Sequence, residues 1–284
     1  KTRVCASLAH LPRNKVVCDL DVDAPDLHIL LDPAPRRVEA FRSGNEAVID
    51  EASCRRCGRC FELCRFGAVI RAGDEYRIDP ARCEGCGVCH ALCPAGAVAF
   101  PERHCGEWYV SDTRFGPMVH AQLFPGQENS GRLVSLLKRE ARALAGELGL
   151  DTIVCDGSPG VGCPVISSLS GATLAVAVVE PTPSGRHDFV RVADLCAHFR
   201  IPLAVLINKA DLNAAEAAAL AESARTRGGV VVGELPFDPA VTEAMIRRRA
   251  VTETSSPLAD TLATVWDRVQ DMARAAEHGR KTLS

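Results

Sequence analysis

From Asp151 onward the chain alternates short continuous apolar runs with longer stretches whose apolar residues recur every three or four positions. TIVC (152–155), LAVAVV (174–179), PLAVLI (202–207) and VVVGEL (230–235) have the length and β-branched content of buried strands. Residues 187–198 and 214–226 carry the helical period, and Ser184 stands where it could cap the first of them. Strands this apolar, separated by helices, predict an α/β fold with a mainly parallel sheet flanked by helices on both faces. Upstream, residues 131–148 place Leu133, Leu136, Leu137, Leu144 and Leu148 on one helical stripe, with Ser130 as the expected cap. Residues 1–11 read as a helix with Val4, Leu8 and Leu11 on one face, followed by a strand over 15–20 and a short apolar stretch over 27–31. Residues 108–124 read as a hairpin turning near Phe115-Gly116, and 32–53 as a Pro/Arg-rich mixture with strand-like pieces near Val38 and Val48. The tail over 258–276 has an apolar face, expected to dock on its own domain rather than on a membrane.

Residues 54–93 break this pattern. Eight cysteines stand there in two copies of one spacing, Cys54-x2-Cys57-x2-Cys60-x3-Cys64 and Cys83-x2-Cys86-x2-Cys89-x3-Cys93. In such runs the first three thiolates hold one [4Fe–4S] cubane and the fourth crosses to the other. Cluster I is therefore expected to take Cys54, Cys57, Cys60 and Cys93, and cluster II to take Cys83, Cys86, Cys89 and Cys64. Zinc would need four ligands per ion but gives no reason for the fixed three-residue step or the crossing partner. Cys93 is followed by Pro94, as the run requires, whereas Cys64 is followed by Arg65. Gly58/Gly87, Leu63/Leu92, Gly67/Gly96, Ala68/Ala97 and Val69/Val98 recur at the same 29-residue offset, so residues 53–105 are expected to form a small pseudo-symmetric domain. It would be inserted into a larger one made of 1–52 and 106–284. Arg55, Arg56, Arg59 and Arg65 crowd the first run, while the second has Glu84 and no lysine or arginine between its cysteines. Cluster I should then have the higher potential, and its rim is either a dock for an acidic partner or a solvated charged face.

Composition narrows the function. A net charge of −3 and a pI near 6.3 supply no basic field for nucleic acid. No apolar run approaches the ~20 residues of a membrane span, and no charged segment leads into an apolar signal. Fourteen cysteines without a secretory signal point to a reducing cytoplasm.

The ends of the apolar strands carry a second chemistry. Lys1-Thr2 opens a helix as the last two residues of a phosphate-binding loop would, the lysine reaching phosphates and the hydroxyl Mg²⁺. One strand ends Asp19-Leu20-Asp21, a second ends TIVCDGSPG with Asp156 placed to hold Mg²⁺, and a third ends Asn208-Lys209-Ala210-Asp211, suited to base recognition. These motifs, together with CDLDVDAPDLHILLDP, both cysteine runs, GQENSGRLV, DTIVCDGSPGVGCPVISSL, VEPTPSGRHDFVRV, NKADLN and LPFDPAV, cover nearly the whole chain. The sequence resembles a MinD/ParA-type P-loop ATPase (an NTPase of the SIMIBI type) with an inserted two-cluster ferredoxin domain, a group related to the nitrogenase iron protein and the Mrp-type iron–sulfur carriers.

That resemblance implies ATP and Mg²⁺ besides two [4Fe–4S] clusters. It implies Lys1, Asp21 and Asp156 as catalytic, Asp21 orienting the attacking water, with Thr2, Asp19 and Asp156 organising Mg²⁺. Gly160 would sense the γ-phosphate, and Asn208, with Pro236 and Asp238, would contact adenine. It also implies an ATP-dependent homodimer built with a further lysine early in the Gly-rich loop. Neither that lysine nor the glycines stand in residues 1–284, so the N-terminal strand and loop are expected to be missing and these residues alone to bind ATP poorly. Cys163, followed by Pro164, lies where the nitrogenase iron protein has a cluster ligand, but a second such cysteine is lacking. A structural Cys163 and a bridging or relay thiol both stay open. Cys5, Cys18, Cys155 and Cys196 read as buried packing residues. His187 and Asp188 read as surface residues at a helix start. Functionally, an ATPase gating electron transfer to an unknown redox partner leads. A cluster carrier serving an apo-protein and a ParA-like spatial regulator with redox-sensing clusters are the alternatives.

Overall fold

The computed structural model describes residues 1–127 and 131–281, so the expected cap at Ser130 lies outside the described residues. The chain folds into two compact units: one is Lys1–Glu39, Trp108–Gln122 and the described part of Asn129–Ser284, the other Ala40–Glu107 and the described part of Leu123–Glu128.

The larger unit starts with α1 (Thr2–His10), β1 (Lys15–Asp19) and α2 (Leu27–Leu31). Next comes β2 (Ala34–Asn45), one twelve-residue strand where the sequence suggested a mixture. Its side chains are almost all exposed, with Phe41 as the buried exception, so no alternation announces it. Pairing within the sheet makes it a strand. The smaller unit contains β3 (Val48–Ile49), α3 (Arg59–Leu63), β4 (Val69–Ala72), β5 (Glu75–Ile78), α4 (Val88–Ala91) and β6 (Val98–Ala99). β3 pairs antiparallel with β6, and β4 with β5, so each cysteine run is backed by a two-stranded ribbon. β7 (Glu102–Thr113) and β8 (Gly116–Leu123) form the expected hairpin, with Arg114-Phe115 as its turn.

The rest follows the alternation: α5 (Arg132–Leu148), β9 (Thr152–Asp156), α6 (Cys163–Leu169), β10 (Ala175–Val179), α7 (Pro183–His198), β11 (Leu203–Asn208), α8 (Ala214–Thr226), β12 (Val230–Leu235), α9 (Ala240–Ile246) and α10 (Pro257–Lys281). α7 starts earlier than expected, and its cap is Thr182, whose hydroxyl accepts from Gly185 N at 3.0 Å, not Ser184. Pro183 at the first helical position fixes that start.

The strands form two sheets, β2-β7-β8-β1-β9 and β10-β11-β12. β1 runs parallel to both β8 and β9, and β11 parallel to both β10 and β12. Alternate residues of β11 explain the layering. Ala204 and Leu206 pack with Val4 and Leu8 of α1 and with Leu258, Leu262, Val265 and Val269 of α10. Val205 and Ile207 face Phe189 and Ala193 of α7 and Leu220 and Ala224 of α8. Helices thus cover both faces, and α10 lays its apolar stripe on its own unit.

Two polar devices lock the larger unit. Arg114 forks onto Glu253 (Nε to Oε1 3.0 Å, Nη2 to Oε2 2.8 Å) and donates to the carbonyls of Leu30 and Arg248, tying the hairpin turn to the end of α2 and the approach to α10. His120, buried in β8, bonds Ser111 Oγ at 2.9 Å and stacks on Tyr109. Burial, with His28 adding repulsion, pushes its pKa down to about 4. Between pH 6.5 and 4 the unfolded chain gains a proton that the folded chain refuses, so stability drops as pH falls through this window. The full loss is about 3 kcal/mol at 1.36 kcal/mol per pKa unit. A His120→Gln variant should therefore show a flatter apparent melting midpoint than the parent between pH 7 and 4.5.

Candidate functional site

β1 and β9 lie in register, Asp19 opposite Asp156, so two carboxylates emerge side by side at the strand ends. Asp21 follows one turn later, its N–H donating to Asp19 Oδ1 at 3.1 Å. Leu20 N donates to Asp156 O at 2.9 Å, and Ser158 Oγ to Leu20 O at 2.9 Å, stitching the two strand ends together. Lys1, at the start of α1, reaches over them. Its Nζ lies 2.6 Å from Asp21 Oδ2, 2.5 Å from Gly157 O and 3.4 Å from Asp156 Oδ1. The Thr2 side chain favours the charged form of the Asp156 carboxylate. The five residues that sequence reasoning drew from three distant stretches thus meet at one point.

The electrostatics there are those of a site short of positive charge. Asp19 is 1 % exposed and Asp156 2 %, and Oδ2 of each has no hydrogen-bond partner. Burial, reinforced by the neighbouring Asp156, pushes Asp19 up to about 8. Burial also raises Asp156 against the pull of Lys1. Burial alone would depress the Lys1 amine, but Asp156 and Asp21 outweigh it and hold it raised. Unmet buried carboxylate oxygens are uncompensated unless a cation joins them. Among the described residues no three His, Cys, Asp or Glu side chains close around one ion. The Asp19 and Asp156 pair is a donor set that Mg²⁺ would fit, since that ion takes one or two carboxylates and fills its octahedron with water and phosphate oxygens.

Around this centre the other expected residues are distributed unevenly. Gly160 is exposed in the loop after β9 with φ +87°, a conformation that needs glycine. Asn208 ends β11, and Asp211 accepts from Phe237 N at 2.6 Å, drawing the Pro236–Asp238 turn towards it. Asp238 itself has structural work: one oxygen accepts from Ala240 N at 2.8 Å at the start of α9, and the other from Ser256 Oγ at 3.3 Å. Glu180 was not singled out from sequence, yet it pairs with Lys209 at 2.6 Å at the end of β10.

Cys163 opens α6 and is exposed. The opposite end of α6 is held by a residue that sequence reasoning missed. Lys138, buried on the apolar side of α5, donates to the carbonyls of Ser167, Ser168 and Ser170 at 3.0, 2.5 and 2.6 Å. A lysine at the margin of a leucine stripe gives no hint that all its donors are used. Cys18 and Cys196 are buried as expected and Cys5 half-buried, but Cys155 is exposed, because β9 ends its sheet. The Cys155 thiol nevertheless hydrogen-bonds that of Cys18 across the strand pair, the contact lowering one thiol and raising the other. Cys105 is buried with its thiol 3.2 Å from Ser43 O.

In the smaller unit the two cysteine runs adopt one backbone twice. Gly58 and Gly87 share φ +74°, and Gly67 and Gly96 share φ +63°. Cys54, Cys57, Cys60 and Cys93 line a single cavity with Ile49, Tyr76 and Pro94, so the fourth cysteine of the second run stands with the first three of the other. Burial raises the Cys60 and Cys89 thiols. At Cys64 burial is outweighed by backbone N–H groups from residues 66–69, and at Cys93 by those from 95–98, so both thiols are lowered. Ala97 N lies 3.3 Å from Cys93 Sγ. A sulfur cradled by N–H donors is prepared to be a thiolate ligand, and the donor set fits a cubane.

The fold is that of the MinD cell division ATPases, joined to a 4Fe-4S binding domain. The 4Fe-4S binding domain family matches residues 76–99, which hold the second cysteine run. An uncharacterized protein of Methanocaldococcus jannaschii is 29% identical over 275 residues, 95% of this chain and 92% of its own. Among solved structures, MinD of Pyrococcus horikoshii complexed with Mg-ADP superposes with a TM-score of 0.56 at 13% identity, covering 97% of this chain and 92% of that one. MinD of Pyrococcus furiosus gives 0.55 at 13% identity, with 95% and 93% covered. MinD in the MinC:MinD complex of Aquifex aeolicus gives 0.54 at 13%, with 95% and 90% covered. No described helix is long and apolar enough to cross a membrane.

Proposed function

We propose that the protein is a Mg²⁺-dependent ATPase that carries two [4Fe–4S] clusters and couples its nucleotide state to electron transfer through them. The observation that carries this reading is the pair of orphaned carboxylate oxygens of Asp19 and Asp156, at the ends of β1 and β9, beside the Lys1 amine, with the cysteine runs lying between these two strands in the chain. Lys1 and Thr2 bind phosphate and metal, and Asp19 and Asp156 hold the hydrated Mg²⁺. Asp21, released from Lys1 when phosphate takes that amine, orients the attacking water. Gly160 gives the loop after β9 freedom to follow the γ-phosphate. Asn208 and Pro236 flank the base, with Asp238 fixing the turn. ATP joins two copies face to face.

Residues 53–105 bind the clusters, Cys54, Cys57, Cys60 and Cys93 one, Cys83, Cys86, Cys89 and Cys64 the other. The bound cubanes supply one-electron chemistry at low potential. The chain leaves for this domain after Asp21 and returns before Asp156, so the insertion lies in the chain between the two segments expected to respond to hydrolysis. Cys163, exposed at the start of α6, is read as structural.

The test is one anaerobic preparation of the full-length chain assayed for both chemistries. About eight irons per chain with Mg²⁺-dependent phosphate release supports the reading. Iron without phosphate release, together with cluster transfer to an apo-protein, would support a carrier instead.

A further inference from the structure

The two cysteine runs share a backbone, so differences between them are differences of side chain. At the offset of 29, Arg55, Arg56, Arg59, Phe61, Arg65 and Phe66 correspond to Glu84, Gly85, Val88, His90, Pro94 and Ala95. All six residues of the first set are exposed, and both phenylalanines are 48% exposed. None of the four arginines is in an ion pair among the described residues, although thirteen other arginines of the chain are. Arg55 and Arg59 line the cavity of Cys54, Cys57, Cys60 and Cys93, and Cys57 is itself exposed.

Arg56 adds an independent sign. Its φ is +55°, in the left-handed region that L side chains rarely adopt, and the matching position in the second run is Gly85 at +62°. There a glycine is required, since a Cβ would lie 2.3 Å from Asn45 O. The same turn in the first run carries a long cation in place of the glycine that would relax it. A strained residue of this kind points to a use outside the fold's own stability.

We propose that Arg55, Arg56, Arg59 and Arg65, with Phe61 and Phe66, form the docking surface for an acidic electron-carrier protein that exchanges electrons at cluster I. This rests on the two-cluster reading above. One electron passes from the reduced carrier to the cubane, the carrier being oxidised and the cluster reduced by one, with no bond or proton transferred. Unpaired guanidinium groups steer a negatively charged protein, and half-exposed aromatic rings supply the dry centre of a contact. Cys57, exposed and lining the same cavity as Arg55 and Arg59, would hold a cluster close to that contact. A protein fits better than a nucleic acid, because these arginines are confined to one short run, residues 55–65, on a chain of net charge −3.

An acidic flavodoxin serves as the probe. Its affinity and its second-order rate of cluster reduction are measured at low and high salt with the full chain. The same measurements follow for Arg55→Gln/Arg56→Gln/Arg59→Gln/Arg65→Gln and for Glu84→Gln as the control on the second run. Iron content and circular dichroism report folding, and Arg56→Gly alone, which relaxes the turn, gives a second variant that keeps the fold. The expected result is a loss of at least about tenfold in affinity and rate in the quadruple variant, a smaller loss in Arg56→Gly, a vanished salt dependence, and no change with Glu84→Gln or with a small neutral reductant. Equal flavodoxin affinity and rate in parent and quadruple variant would overturn the proposal. So would arginine-dependent binding of a twenty-nucleotide RNA with flavodoxin indifferent. A chain holding fewer than about eight irons that still binds flavodoxin through these arginines supports the dock and sinks the two-cluster reading instead.

Discussion

Cys93→Ser is expected to abolish the same cluster as Cys54→Ser, and Cys64→Ser the same cluster as Cys83→Ser. In each case iron falls from about eight to about four atoms per chain, and the electron paramagnetic resonance signal that survives differs between the two pairs. The reason is spatial. Cys93 belongs by sequence to the second run but lines a cavity with Cys54, Cys57 and Cys60. It also sits, like Cys64, in a nest of backbone N–H groups, which outweighs burial and lowers the thiol. If ligands were taken run by run instead, Cys93→Ser would spare the cluster that Cys54→Ser destroys.

Asp156→Asn should lower Mg²⁺-dependent ATP hydrolysis by about 10²- to 10³-fold, the usual scale for removing one preorganised electrostatic group from a transition state, while raising the stability of the nucleotide-free chain. The opposite signs have one cause. Asp156 is buried beside Asp19 with an oxygen unpaired, and burial raises its pKa despite Lys1. Neutralising it relieves that repulsion, and the new amide can donate to Asp19. The same change removes a charge that a divalent cation needs. Phosphate release and thermal melting on one preparation check both; a variant that is less stable and fully active would assign Asp156 to the fold.

These two predictions draw on features of different legibility. The cysteine spacing and the acidic strand ends were readable because each is a local string whose chemistry depends on residue type at a fixed interval. The strand over 203–208 was readable because burial on both faces leaves a continuous apolar run. β2 was not, since a strand with exposed side chains has no pattern and exists through its sheet neighbour. Lys138 was hidden because the carbonyls it satisfies lie about thirty residues away. Asp238 reads from sequence as a proposed nucleotide contact, and its bonds to Ala240 N and Ser256 Oγ were not legible there. The left-handed Arg56 became visible once the two runs could be compared angle by angle. Sequence thus displays donors, while the pairing that frees or consumes them is tertiary.

The central claim is coupling, and linkage makes it measurable from either side, because a nucleotide that alters cluster potential must itself bind differently to oxidised and reduced protein. The direct measurement is the midpoint potential of each cluster in the full-length chain without oxygen, with no nucleotide, with Mg-ADP and with Mg-ATP. A shift of about 60 mV in at least one cluster between the ADP and ATP states, tenfold in a one-electron equilibrium, is the predicted result. Two potentials indifferent to nucleotide, in a chain that hydrolyses ATP and holds both clusters, would contradict it.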